Sequence, residues 1–530
     1  MQFKNKIKWL AKKLVGKPEL IFSSADYTKA DGALTGFIEE YSDFLLQRRG
    51  FGTRDNEAVY GPVITKMEPD YDFFNSGIYK QNPNQKAIFE YDNFHSGTPM
   101  KYKPFPGSVR KVKKVLRRKN LYWYPRSAGG YYDQQSIVDY LLREGFGHQS
   151  KENSTKLGVD NIVFTCSTTH AYSLIINTIT KPGDVILMTA PNYGLFAVMT
   201  ETSGRQTELV KLREEDGWLV NPSVLARRID ELNRKLGADS GGEHRVVAFL
   251  NLNPHNPTGK TMGRKHISLL RKIGEVCKER NVFVIDDLVY RDLTYDLDDL
   301  AIPIASFPEY FDNTISLFGL SKAYGLASLR AAVIVAPKAV AEVLTQEIHN
   351  TIDSVPVLQV AAVSGAFNGT NRRYCEYRRY MQKQIEEYKF RYQLIRALVY
   401  GIDEVEDAKL RRSIIRVVSR YVKVPADREK LLSGCPNLAI RAGTEPDSGF
   451  FVLFDFTKLK DKATPDGRII KNERELLDYF FRNGGLSYLM GGNICWPKPD
   501  EMVARISFGV SRKAIVRNML LMNKAIRRLK

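Results

Sequence analysis

The stretch Asn251-Leu252-Asn253-Pro254-His255-Asn256-Pro257-Thr258-Gly259-Lys260 comes directly after the apolar run Arg245 to Leu250. Asn, Pro and Gly are what tight turns use, so the segment reads as a loop entered from a strand, and turn formation alone would account for it. Downstream, the run Val282 to Asp286 ends at Asp287-Leu288-Val289-Tyr290, and Thr314 to Phe318 leads into Ser321-Lys322-Ala323-Tyr324-Gly325. Asn161 to Thr165, Asp184 to Met188 and Ala331 to Val335 are runs of the same kind, with helical stretches between them. Short apolar strands followed by helices predict an α/β chain with a mostly parallel sheet covered by helices. Ligand-binding groups in such sheets collect in the loops just past strand ends.

The rest of the composition bounds this reading. A chain of 530 residues is too long for one ordinary domain, and two or three lobes are expected. With 43% hydrophobic and 26% charged residues, collagenous, coiled-coil and wholly disordered readings are excluded. No apolar run reaches the roughly 18 residues needed to cross a bilayer. Lys and Arg exceed Asp and Glu by 79 − 60 = 19, a balance that attracts anionic substrates, nucleic acid or lipid headgroups without naming the partner. The five cysteines are scattered without a Cys-x-x-Cys pair, and the seven histidines lack ligand spacing. Neither a disulfide framework nor a metal site is expected, and a reducing, cytoplasmic compartment fits best.

Residues 1–90 read as an extension of unknown role, with a helical patch from Gly36 to Arg49. Six lysines precede the first acidic residue, Glu19, interleaved with Ile7, Leu10 and Leu14 on one helical face. This arm is expected to pack on the protein or its partner subunit, or to touch a membrane surface. Arg110 to Lys119 forms a basic helical face around Val112 and Leu116, either solvated or a polyanion site. Near residue 360 the strand and helix alternation gives way to a long polar helical run, Arg372 to Leu398, and then to a second lobe ending in Val503-Ala504-Arg505-Ile506-Ser507-Phe508-Gly509. The expected division is 91–120 as the first part of a small domain, 121–355 as a large domain, and 356–530 as an interdomain helix with the rest of the small domain. The polar stretch Glu404 to Asp447 and the extension are candidates to shape or cover the site.

Taken singly, a carboxylate at a strand end is a cap and a lone lysine is surface. Taken in order, the Asn-Pro-His-Asn-Pro-Thr-Gly loop, Asp287-x-x-Tyr290, Ser321-Lys322 with Arg330 eight residues on, and Arg505-Ile506-Ser507 resemble the class I/II aminotransferases. That resemblance covers roughly residues 91–530. It implies the pyridoxal-phosphate-dependent transferase fold of type I, a mostly parallel central sheet sandwiched by helices with a smaller α+β domain. It also implies pyridoxal 5'-phosphate as cofactor and a homodimer or higher homo-oligomer.

Residue by residue, the resemblance implies that Lys322 forms a Schiff base with the cofactor and shuttles the α-proton. Asp287 would pair with the ring nitrogen, and Asn256 and Tyr290 would bond the phenolic oxygen. Arg330 is similar to the phosphate arginine, and Ser167, Thr168 and Thr169 match the phosphate loop, although N-capping alone would explain Ser167 and Thr168. The family usually has Gly in that loop and a hydroxyl where this chain has Gly319. Tyr193 matches the aromatic stacked on the ring, with a core aromatic as the other reading. Tyr124 resembles the tyrosine that reaches a neighbouring subunit's phosphate. Arg505 is similar to the arginine that clamps the substrate α-carboxylate, and Gly97 to the glycine whose backbone meets it, with Asn256 also expected among the substrate-binding residues.

The expected activity is exchange of an amino group between an L-amino acid and a 2-oxo acid, and the basic balance loosely suits anionic ones. A lyase, decarboxylase or cyclase on the same cofactor, or a non-enzymatic regulator, are the other readings. No recognition helix is evident for nucleic acid, and the motifs do not fix the side chain selected.

Overall fold

The computed structural model describes residues 93–95, 97, 99, 102–119, 121–144, 146, 157–367 and 371–530. The basic arm and the patch from Gly36 to Arg49 lie outside those residues.

All six predicted runs are strands. β1 (Ile162–Thr165), β2 (Val185–Ala190), β3 (Gln206–Lys211), β4 (Val246–Leu252), β5 (Phe283–Asp287), β6 (Thr314–Gly319) and β7 (Ala332–Val335) form one sheet in the order β1-β7-β6-β5-β4-β2-β3. The sequence gives no sign of β3, because an edge strand needs no continuous apolar run. Only Val210 in it is fully buried.

The sheet is parallel except for β7, which runs antiparallel to both β1 and β6. Parallel neighbours need a long crossover, usually helical. The short loop after β6 contains only a 3-10 turn, Ala327–Leu329, and it returns the chain antiparallel. That reversal puts the start of β7, and Arg330 just before it, at the same sheet edge as the C-terminal ends of β4, β5 and β6.

Successive side chains along a strand point to opposite faces, and both faces are covered here. On β2, Ile186 and Met188 enter one core cluster while Val185 and Leu187 enter another. Helices Thr168–Ile179 and Lys338–Ile352 pack together on the first side, and Pro222–Ser240 packs against Ile267–Glu279 on the second.

The long polar run is a single helix, Asn371–Tyr400. Beyond it, β8 (Ala439–Ile440), β9 (Phe451–Asp455), β10 (Leu489–Met490) and β11 (Val503–Ser507) make an antiparallel sheet in the order β10-β11-β9-β8. Phe94 belongs with this part of the molecule, since its carbonyl accepts from Ser507 N–H at 2.8 Å.

The basic face near residue 110 is the helix Pro106–Leu116. Its fully buried apolar contact is Val115 rather than Leu116, which is 54% exposed. Arg110 pairs with Glu376 and Lys111 with Asp133, so part of that face is neutralised within the chain.

Candidate active site

The quoted loop after β4 is locked before it meets any ligand. Asn253 uses its side-chain amide to accept from Met262 N–H at 2.8 Å and to donate to the Met262 carbonyl at 3.0 Å. His255 is buried, exchanging hydrogen bonds with Thr189 Oγ1 at 3.0 Å and Thr258 Oγ1 at 2.8 Å. Burial pulls its imidazole down to about 3, so it serves as a neutral brace. Gly259 sits at φ 73°, and a Cβ there would lie 2.9 Å from Pro446 Cβ. These constraints present Asn256, the next residue, toward a cavity of about 490 Å³.

The cavity lies past the strand ends, where an α/β sheet places its ligands. Asp287 ends β5 and Lys322 follows β6, while Arg505 reaches over from β11. Of the predicted residues, Gly97, Thr168, Thr169, Tyr193, Asn256, Asp287, Tyr290, Lys322, Arg330 and Arg505 all line this one space.

Two predicted residues do not line it in the single chain. Ser167 is the N-cap of the helix Thr168–Ile179 and accepts from His170 N–H at 3.0 Å, so capping explains it. Tyr124 is 85% exposed. None of residues 404–447 lines the cavity either, so the stretch Glu404 to Asp447 does not cover it in the described structure.

The electrostatics are those of buried charges that lack full compensation. Burial raises the Asp287 carboxyl to about 6, although Val289 N–H donates to it at 3.0 Å and Lys322 opposes the shift. Burial also lowers the Lys322 ammonium to about 8, with Arg505 and Arg330 adding to the effect and Asp287 opposing it. Lys322 Nζ donates to the Gly97 carbonyl at 2.7 Å. Gly97 therefore engages the lysine in this state of the chain.

Arg505 is 3% exposed and its charge is disfavoured by burial. It donates to Asn256 Oδ1 at 3.2 Å and to the His95 carbonyl at 3.1 Å, and it lies over the Phe451 ring at 4.2 Å. Its Nε is buried without a partner. Burial pushes the Tyr290 and Tyr193 phenols up, with Arg505 opposing both shifts.

At the other end, Thr168 and Thr169 open a helix whose first-turn N–H groups have no carbonyl of their own. Arg330 faces the same space from a left-handed backbone position, φ 55°, that non-glycine residues seldom hold. The departure at Gly319 has a local counterpart: a Cβ there would lie 2.8 Å from Thr168 Cγ2. The Thr168 side chain fills the room that Gly319 leaves.

These observations fit pyridoxal phosphate. Helix-start donors and Arg330 suit a phosphate, and the buried carboxylate of Asp287 suits a ring N–H. A lysine of lowered pKa suits an aldehyde. Sequence reasoning missed His95, Leu195 and Leu489 on the cavity wall. Leu195 lies two residues past Tyr193 and His95 two before Gly97, signals of position only, and nothing in the sequence marked Leu489.

Comparison with known proteins supplies the family. The family description "Aminotransferase class I and II" matches residues 101–408. Among curated proteins, the chain is 28% identical over 244 residues to cystathionine beta-lyase PatB of Bacillus subtilis, 46% of this chain and 59% of that one. It is 29% identical over 194 residues to an aspartate aminotransferase of Musicola paradisiaca, 36% of this chain and 44% of that one. The chain thus spans less than two thirds of the length of these relatives. The aspartate aminotransferase of Rhizobium meliloti superposes with a TM-score of 0.65 at 16% identity, over 86% of this chain and 96% of that one. An Escherichia coli aminotransferase gives 0.62 at 17%, with the same coverage. With more than half of its length matched by that description and its strand-end residues converging on one cavity, the chain belongs to the class I and II aminotransferases, whose cofactor is pyridoxal phosphate.

Proposed function

We propose that the protein is a pyridoxal-phosphate-dependent aminotransferase that moves an amino group between an L-amino acid and a 2-oxo acid. The observation that carries this reading is the convergence of Lys322, Asp287 and Arg505 from two sheets on one cavity. Bound there, pyridoxal phosphate supplies a conjugated ring that takes up the electron pair left when a substrate bond to Cα breaks.

Everything else falls to the chain's own residues. Lys322 Nζ is the covalent attachment point and, once released, the base that takes the proton from Cα and returns it. Its low pKa suits both tasks, because only the neutral amine is nucleophilic or basic. Asp287 holds the ring nitrogen protonated. Asn256 and Tyr290 hold the phenolic oxygen, and Tyr193 covers a ring face. Thr168, Thr169 and Arg330 take the phosphate. Arg505 clamps the α-carboxylate through its planar fork, which fixes the Cα bond to be broken against the ring. Gly97, whose carbonyl now accepts from Lys322, would meet the incoming carboxylate with its backbone.

Two chains would act together. Tyr122, Trp123 and Tyr124 are 77%, 71% and 85% exposed in the single chain. An aromatic run of that exposure favours burial against another molecule. We assign it to a second copy, with Tyr124 reaching the neighbour's phosphate side.

A second reading is a lyase acting through the same residues, favoured by the likeness to cystathionine beta-lyase. The test is to add amino acids to cofactor-loaded protein. Transfer gives a 2-oxo acid together with a shift of absorbance from about 420 nm toward about 330 nm. Release of ammonia without that shift means lysis. Borohydride reduction followed by peptide mapping should place the cofactor on Lys322, and an unmodified Lys322 peptide from loaded protein overturns the assignment.

A further inference from the structure

We propose that the substrate side chain of this enzyme sits in an apolar subsite formed by Leu195 and Leu489, so that the preferred amino acids are uncharged ones with aliphatic or thioether side chains. This rests on the aminotransferase reading, specifically on Arg505 as the α-carboxylate clamp. Leu489 and Arg505 are directly opposed partners in the β10 and β11 pair. Opposed residues in an antiparallel pair project from the same face of the sheet. Leu453 opposes Arg505 on the other side, and Phe451 shares that face two residues away. The guanidinium therefore emerges from an apolar face, with Leu489 beside it, partly buried and lining the cavity.

Leu195 completes the wall from the large domain's side. It is the second residue of the helix Gly194–Thr202, which follows β2, and it is partly buried while lining the cavity. The two segments are joined: Asn192 N–H donates to the Ile494 carbonyl at 2.7 Å, and a side chain on Gly194 would run into the Asn493 carbonyl. Both leucines line the same cavity, Leu195 from the helix after β2 and Leu489 from β10.

Charge points the same way. Among the described residues that line the cavity, the basic side chains of lysine and arginine are Lys322, Arg330 and Arg505. On the proposed reading each already has a partner: the aldehyde carbon, the phosphate and the α-carboxylate. The His95 imidazole exchanges a hydrogen bond with Ser487 Oγ at 2.9 Å. A second carboxylate placed against Leu195 and Leu489 would lose its water without gaining a cation from the described residues of this chain. The net positive charge of the whole chain, carried mostly elsewhere, does not alter this local deficit.

The test compares leucine, methionine, aspartate and glutamate as amino donors for the cofactor-loaded full chain, with a common oxo acid. The expected kcat/KM for leucine or methionine exceeds that for aspartate by at least about 100-fold. Equilibrium binding gives an independent readout: 4-methylpentanoate should raise the thermal midpoint of the loaded protein more than succinate does. Leu489→Arg should raise kcat/KM for aspartate and lower it for leucine, and Leu195→Lys provides a second variant if the first does not fold. Preference of the wild type for aspartate or glutamate, or for succinate in the binding assay, overturns the inference while leaving the aminotransferase reading intact. Absence of oxo acid and of any absorbance change with all four donors overturns the aminotransferase reading itself.

Discussion

Tyr324 lies two residues past Lys322, fully buried, and donates to Asp292 Oδ2 at 2.8 Å. The same carboxylate accepts from Tyr377 at 2.7 Å and from Arg291 Nη1 at 3.2 Å. Tyr377 belongs to the long helix Asn371–Tyr400, whose Gln384 also donates to the Ala323 carbonyl at 2.8 Å. The lysine loop is therefore fastened to a buried anion and to that helix. Tyr324→Phe removes one donor from a desolvated carboxylate and leaves ring packing intact, which costs about 1.5–3 kcal/mol. Tyr377→Phe costs a similar amount, because its bond is of nearly the same length and goes to the same carboxylate. The double variant should lose more than the sum, by about 0.5–3 kcal/mol, since the carboxylate then keeps only Arg291 among these donors. Urea unfolding of the cofactor-free protein measures these losses. Turnover separates the two tyrosines: Tyr324→Phe frees the loop that carries Lys322 and should lower kcat well beyond Tyr377→Phe, at matched stability loss. Strict additivity in unfolding, or equal kcat for the two single variants, would refute this account.

Gly319→Ala places a Cβ 2.8 Å from Thr168 Cγ2 and 3.1 Å from Val289 Cγ2, an overpacking that should cost about 1–3 kcal/mol. It should also weaken cofactor affinity, and adding Thr168→Ser, which deletes the γ-methyl, should recover part of both in fluorescence titrations. Asp287→Asn removes a carboxylate that burial has raised to about 6. At pH 7 the cofactor-free variant should be more stable than wild type, by about 1–3 kcal/mol in urea unfolding, while turnover of the loaded enzyme drops at least about 100-fold. Capture of added pyridoxal phosphate by the cofactor-free protein should accelerate as pH rises through about 8, where the Lys322 ammonium loses its proton, and then level off. Because the folded value lies below the unfolded one of about 10.4, the unfolded chain holds more protons in between. Folding stability from this group accordingly rises with pH between about 8 and 10.4. A stopped-flow capture rate that stays flat from about pH 6 to 9 would contradict the assignment.

Much of the central sheet was legible in the sequence. The interior strands of a sheet buried on both faces must be apolar along their whole length, so their runs stand out, and the loops after them carried Asn256, Asp287, Tyr290 and Lys322 in plain order. Proximity in sequence to a strand end was enough to place those residues. The edge strand β3 has no such run, and the antiparallel direction of β7 depends on how the preceding loop closes. Ser167 turned out to cap a helix, a use of the hydroxyl that local spacing leaves undecided. What only the tertiary structure decided is the far wall of the cavity. Arg505 stands beside Leu489 through a strand register, Leu195 lines the same cavity from the helix after β2, and the His95 carbonyl accepts from the guanidinium. Backbone pairing between segments far apart in the chain sets these neighbours, and no local pattern of residue types encodes which strands will pair or in what register.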